Sequence, residues 1–204
     1  DMDKLTPLHF NDLAPDVELE TADGQPARLS AFWQAKPVLL AFTRHFGCPQ
    51  CKEMLDQLVE RRAEIEAQGL SILVITHAPP DQAKKYLEQR APGLTGLADP
   101  ERKAYTAYGL GRGSLRQTVF SPRIWQSNRE LARSKGFHAE LPPAGQDALQ
   151  MSGIFVIGTD GRIRLPYYYD DIADHPSVDL LLQGVLKTNW DAPFDGPIGP
   201  AAGA

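Results

Sequence analysis

Residues 37–51 read PVLLAFTRHFGCPQC, and the fold follows from how this stretch divides. Pro37 to Arg44 is an apolar run, β-branched at Val38 and Thr43 and ending on a charge, which predicts a strand. Gly47 supplies a turn. Pro49 stands near the first helical position, where its missing N–H costs nothing. The spacing then predicts a helix over roughly Pro49 to Gln68, with Cys51, Leu55, Leu58, Arg62 and Ile65 on one side and Met54 beside them. A strand that turns into a helix at Cys48-Pro49-Gln50-Cys51 places both sulfurs of the chain at a helix N-terminus.

Those two cysteines are the only ones present. A thiol at a helix start faces unpaired backbone N–H groups and the positive end of the macrodipole, which favour thiolate over thiol. Cys51 opens the core-facing stripe, whereas Cys48 is expected at the tip, reaching solvent. Residues at i and i+3 near a helix start are close enough to be bridged by an S–S bond. A purely structural disulfide closing so short a loop would stabilise weakly. Packing alone does not ask for Gly-Cys-Pro at a helix start. A metal clip lacks ligands: His45 could join the two thiols, but there is no second C-x-x-C, and His9, His77, His138 and His175 show no ligand spacing. Dithiol redox chemistry is therefore the leading expectation.

With 204 residues, 42% hydrophobic and 23% charged, the chain has the make-up of a globular protein. No apolar stretch approaches the ~18 residues of a membrane span, so no membrane partner is expected. A net charge of −5 argues against general nucleic-acid affinity. The opening DMDKLTPLHF has no basic n-region or apolar h-region, so a cytoplasmic location is expected; Asp1 ahead of Met2 points to a processed or trimmed start. No nucleotide-binding glycine pattern occurs, and neither a cofactor nor a metal is expected. Basic residues from Arg102 to Lys135 crowd one segment. They read as a solvated, locally paired face, or else as a dock for an acidic partner such as a reductase.

Along the chain, Val17 to Leu29 predicts a hairpin around Asp23-Gly24, and Ser30 caps a short helical turn through Trp33. Ser71 to Thr76 (SILVIT) is a second apolar run, without alternation, as suits a strand buried on both faces. Helices follow at Asp81 to Arg90 and at Glu101 to Tyr108, the latter ended by Gly109, with a short strand end at Leu97 to Pro100 between them. Residues of about 111–150 read as a helical insertion, expected to cover the site. Its helix spans Pro122 to Ser134, carries Ile124, Trp125, Asn128 and Leu131 on one face, and stops at Gly136. Ser152 to Ile157 and Arg162 to Tyr169 form a second hairpin around Asp160-Gly161. A closing helix spans His175 to Lys187. The pattern predicts one α/β domain over residues 1–190, a mixed central sheet flanked by helices, with an N-terminal β-hairpin and an irregular tail over 191–204.

This arrangement resembles the thioredoxin-like fold, and within it the alkyl hydroperoxide reductase / thiol-specific antioxidant (AhpC/TSA) family. Ala14-Pro15-Asp16-Val17-Glu18-Leu19, Asp23-Gly24 and Leu29-Ser30 resemble that family's opening hairpin. Residues 37–42 resemble its central strand, and Phe155 to Ile163 its late hairpin. Arg44 to Cys51 is similar to a peroxiredoxin-like branch with an RxxGCPxC site. Typical peroxiredoxins carry threonine three residues before the peroxidatic cysteine; here that position is His45, or Cys48 if Cys51 is aligned. Met151-Ser152-Gly153 stands where thioredoxins place a cis-proline. Phe46-Gly47 replaces the usual tryptophan.

The resemblance implies a thiol-dependent oxidoreductase, most simply a peroxide reductase. Cys48 would attack the peroxide, Cys51 would resolve the sulfenic acid, and a thioredoxin- or glutathione-type thiol would recycle the pair. Arg44 and His45 are expected to hold the thiolate or donate to the leaving hydroxide, with His77 nearby. The alternatives are a thioredoxin-like disulfide reductase and a non-enzymatic redox-sensing or metal-handling adaptor. A homodimer would be in keeping with the family; Trp33, Trp125 and Trp190 would serve an interface or the core equally well.

Overall fold

The computed structural model describes residues 5–181. In chain order the elements are β1 (Glu18–Thr21), β2 (Pro26–Arg28), α1 (Ser30–Trp33), β3 (Val38–Phe42), α2 (Pro49–Glu60), α3 (Arg62–Ala67), β4 (Ser71–Thr76), α4 (Pro80–Arg90), β5 (Thr95–Ala98), α5 (Lys103–Ala107), α6 (Leu115–Thr118), α7 (Pro122–Ser134), β6 (Gly153–Ile157), β7 (Ile163–Tyr168) and α8 (Val178–Leu180). The strands form one sheet in the order β2-β1-β5-β4-β3-β6-β7. β3 pairs parallel to β4 and antiparallel to β6, with Leu40 opposite Leu73 on one side and Phe155 on the other. The sheet is mixed and flanked by helices, as the order of elements predicted.

The unbroken apolar runs are explained by two covered faces. Leu39, Ala41, Ile72, Val74, Ile154 and Val156 point to one side and pack with Leu55, Leu58, Ile65, Leu87 and Ile124 of α2, α3, α4 and α7. Val38, Leu40, Phe42, Leu73, Ile75, Phe155 and Ile157 point to the other and meet Trp33, Tyr105, Tyr108 and Leu110. Phe42 sits in an aromatic cluster, with ring centroids 5.1 Å from Tyr105 and 5.7 Å from Phe155. The Tyr105 hydroxyl donates to the carbonyls of Thr43 (2.7 Å) and Ile75 (3.0 Å), tying the ends of β3 and β4 beside the cysteines. Both central strands thus run into the same end of the sheet, and β3 delivers Thr43-Arg44-His45 there.

Several local expectations are corrected. The helix expected over 49–68 breaks at Arg61, whose φ of −101° and ψ of 11° leave the helical region, giving α2 and α3. Ser30 caps nothing; its N–H donates to the Asp16 carboxylate at 3.0 Å. The strand expected at 97–100 lies at Thr95–Ala98. α5 starts two residues late because Arg102 is left-handed (φ 57°) and Asp99 accepts the N–H groups of Lys103 and Ala104 at 2.8 Å each. Trp125 was expected on the apolar face of α7; Ile124 and Leu131 are buried but Trp125 is 59% exposed. α6, with a Ser114/Gln117 capping box, was not foreseen. Of the tryptophans, Trp33 belongs to the core, and Trp190 lies outside the described residues. The closing helix expected from His175 starts at Val178, and its expected part over 182–187 lies outside the described residues. In the basic segment, Arg102 and Arg112 pair with Asp147, Arg123 with Asp174, and Lys135 with Glu53, all carboxylates outside that segment. No described helix is long and apolar enough to cross a membrane.

Candidate active site

Cys48 is the N-cap of α2, extended at φ −81° and ψ 117°, with Pro49 opening the helix. This places its sulfur over the first free N–H groups of α2, and the Cys51 N–H is among those that favour its thiolate. Cys51 lies one turn on. Both are free thiols. The expectation that Cys48 reaches solvent is overturned: it is 1% exposed and Cys51 5%. The cause is the insertion, which folds over the helix start. Glu140 donates its N–H to the Gly47 carbonyl at 3.0 Å. A Cβ on Gly47 would lie 2.4 Å from the Glu140 carbonyl oxygen, so only glycine admits this approach. The insertion covers the site.

Arg44 organises the pair. Its guanidinium donates to the Cys48 sulfur at 3.3 Å through Nη1, to the Gln150 carbonyl at 2.9 Å through Nε, and to the Ala148 carbonyl through Nη2. Its backbone N–H donates to the Cys51 sulfur at 3.3 Å. The side chain is nearly fully buried, so the insertion's carbonyls rather than water hold the charge in place. Gln50, between the cysteines, accepts from the Cys48 thiol at 3.5 Å and donates to Asn128 and Ser127 of α7 at 2.6 and 3.2 Å. Ser152, just before β6, brings its hydroxyl to 3.9 Å from the Cys51 sulfur.

The two thiols are driven in opposite directions. Burial pushes Cys48 up, but the Cys51 thiol donating to its sulfur, the Arg44 charge and the helix N–H outweigh it and bring Cys48 down to about 6. Cys51 is pushed well above the ordinary thiol range by its hydrogen bond to Cys48, by burial and by the charge on Cys48. The directions favour Cys48 as the sulfur that ionises first and Cys51 as the one that keeps its proton.

The histidines are placed differently. Burial, together with the Arg44 charge, lowers His45 to about 4; burial with Arg102 does the same for His77. Both rings are neutral at pH 7. His45 makes no hydrogen bond to either sulfur, and its Nδ1 is buried without a partner. His77 accepts the Asp147 backbone N–H at 3.0 Å, bracing the segment whose next carbonyls hold Arg44. The structure therefore brings Arg44, Cys48 and Cys51 together; His45 joins them through its backbone carbonyl, which accepts the Cys48 N–H at 3.1 Å, rather than through its ring. Sequence reasoning gave no site role to Gln50, Asn128, Asp147, Gln150 or Gln146, whose side-chain oxygen accepts the Phe46 N–H at 2.8 Å. Gln50 carried a signal in its place inside the motif, and Asn128 in its place on a face of α7; the other three come from a segment without periodicity.

Two surface cavities flank the pair. One, of about 420 Å³, runs past Phe46 and Gly47 and includes Lys52, Tyr86, Arg90 and Leu141 in its walls. The other, of about 200 Å³, reaches Ser152 from Gly111, Gly113 and Tyr169. Phe46 stacks on Tyr86 at 3.8 Å and 5°, forming a floor to the first.

Residues 10–165 match the model of the AhpC/TSA family. The chain belongs to the AhpC/TSA family. Among curated relatives, it is 28% identical over 169 residues to thioredoxin-like protein AAED1, chloroplastic, of Arabidopsis thaliana, covering 78% of this chain and 66% of that one. It is 23% identical over 176 residues to peroxiredoxin-like 2C of Homo sapiens, covering 83% and 78%. Among solved structures, the peroxidoxin BcpB of Mycobacterium tuberculosis superposes with a TM-score of 0.60 at 21% identity, covering 87% of this chain and 94% of that one. The AhpC/TSA assignment and the thioredoxin-like fold agree with what the strand, motif and hairpins implied. Membership carries thiol-dependent redox chemistry as the general activity.

Proposed function

We propose that this protein reduces peroxides through a Cys48/Cys51 redox pair recycled by an external thiol. The observation that carries the reading is a pair of buried free thiols one turn apart at the start of α2, both held by Arg44, with its buried guanidinium 3.3 Å from the Cys48 sulfur. The Cys48 thiolate attacks one peroxide oxygen: an S–O bond forms, the O–O bond breaks, sulfur is oxidised as the peroxide is reduced, and the departing alkoxide or hydroxide takes a proton from water. Arg44, already donating to the sulfur, can donate to the developing negative oxygen. Cys51 then attacks the Cys48 sulfenic acid, the S–S bond forms and water leaves. Two reductant thiols, of thioredoxin or glutathione type, return the pair to the dithiol by exchange and become a disulfide. His45 and His77, uncharged, serve this scheme through the Arg44 environment rather than as acids.

The burial of Cys48 favours a small peroxide over a protein disulfide, because a folded disulfide substrate needs an exposed attacking sulfur. A metal-handling role has no support in the site: among the described residues, no group of three or more His, Cys, Asp or Glu could hold an ion. The test is stopped-flow oxidation of reduced protein by hydrogen peroxide with thiol counting. Rapid loss of both thiols, abolished by Cys48→Ser and halted at a sulfenic acid by Cys51→Ser, is expected. Oxidation no faster than that of a free thiol would sink the reading, and insulin reduction would then be measured for disulfide exchange.

A further inference from the structure

Gln50 is a polar side chain only 2% exposed, set between the two cysteines and bonded at both ends. Its carbonyl oxygen accepts from the Cys48 thiol, and its N–H groups go to Asn128 and Ser127. That arrangement suits a protonated Cys48. Once the proton leaves, a carbonyl oxygen faces a negative sulfur, an unfavourable pairing at low local dielectric. Every member of the set can reverse its polarity in place. The Gln50 amide presents N–H groups where its oxygen was by turning over, the Asn128 amide does the same, and the Ser127 hydroxyl rotates. Oxygen and nitrogen ends of an amide are nearly the same size, so the turn needs no repacking.

We propose that Gln50, Asn128 and Ser127 form a reversible amide relay that follows the proton on Cys48, with Gln50 as the positioning residue that supplies an N–H to the thiolate and an acceptor to the thiol. It ties the reactivity of the motif to α7, an element of the insertion remote in sequence from the cysteines. The relay rests on Cys48 being the group that ionises, as in the function proposed above. The other titratable or charged groups acting on or affected by Cys48 are Arg44 after β3, Cys51 on α2, Tyr86 on α4 and Tyr169 after β7. Gln50, Asn128 and Ser127 are uncharged, so they can respond to the sulfur's charge without adding one.

Asn128→Asp leaves only acceptors at that position. It holds the Gln50 N–H groups there and keeps the Gln50 carbonyl on Cys48. The expected result is a thiolate-to-thiol ratio for Cys48 lower by about tenfold at fixed pH, read from ultraviolet thiolate absorbance. In a Gln50→Leu background the same Asn128→Asp change is expected to move that ratio by less than about twofold. An equal fall in both backgrounds would mean the new carboxylate acts through its field alone, and the relay would be wrong. Should Gln50→Leu fail to fold, the unsubstituted protein decides the matter. The side-chain amide resonances of Gln50 and Asn128 must shift together with the Cys48 midpoint, and resonances that stay fixed through it would overturn the relay. These readouts use no peroxide, so a relay that holds in a protein without peroxidase turnover refutes only the proposed function, and the reverse result refutes only the relay.

Discussion

Replacing Arg44 with methionine keeps most of the side chain's bulk and removes its charge and its fork. The guanidinium lies 3.3 Å from the Cys48 sulfur, and an opposite charge at such range shifts a titration by about 1–3 units. Cys48 at about 6 is ~90% thiolate at pH 7. In Arg44→Met the midpoint should rise to between about 7 and 9, leaving ~50% to ~1% thiolate, so the rate with a peroxide or alkylating agent at pH 7 should fall between about twofold and a hundredfold. The pH profile separates this from damage: at high pH, where every thiol is ionised, the variant's rate should approach that of the parent. The Gln150 and Ala148 carbonyls lose their donor as well, a penalty of about 1–3 kcal/mol for each that stays buried, so denaturant midpoints belong in the same experiment. Arg44→Lys, with the charge but not the fork, should fall between. A Cys48 midpoint in Arg44→Met within about half a unit of the parent would refute the reasoning and leave the Cys51 thiol and the helix N–H groups as the sole cause.

Gly47→Ala should push the 140–141 backbone off the site, since the added Cβ would meet Glu140 at 2.4 Å; a loss of about 1–3 kcal/mol with faster alkylation of Cys48 is expected, and unchanged alkylation would show that this contact does not shield it. His45 and His77 make stability acid-sensitive. Their folded values of about 4 lie below the unfolded ~6.5, so the unfolded chain binds more protons between those limits. The stabilisation is fully present above about pH 6.5 and is lost as pH falls toward 4, by about 2 kcal/mol per ring at pH 5. Denaturant unfolding at pH 7 and pH 5 measures it, and His45→Gln and His77→Gln should each flatten the difference.

Much of the fold was legible because the signals were local. Residues 37–42 and 71–76 are apolar without alternation, which only a strand covered on both faces explains, and β3 and β4 lie in the middle of the sheet. Asp23-Gly24 and Asp160-Gly161 set both hairpin turns, with Gly24 and Gly161 at φ 74°. Pro49 and Pro122 marked two helix starts correctly, and the helix expected from Asp81 starts one residue earlier, at Pro80. The errors at helix boundaries fell where the backbone turns without a glycine or proline to mark it: α2 and α3 part at Arg61, and Asp99 with left-handed Arg102 sets the start of α5.

The site divides in the same way. The sequence by itself determined that two sulfurs sit at a helix N-terminus at the end of a central strand, because spacing, Gly47 and Pro49 are properties of one short segment. It also determined that the sulfurs would differ, since only Cys51 begins the apolar stripe. Only the tertiary structure decided how they differ. Cys48 is buried by a segment some 90 positions away, for Glu140 closes on Gly47. Arg44 is held against the sulfur by the carbonyls of Ala148 and Gln150, and Gln50 is tied to α7. These are single long-range contacts between polar groups with no periodicity to announce them, and they set the charge on Cys48 because burial makes each charge and hydrogen bond count for more.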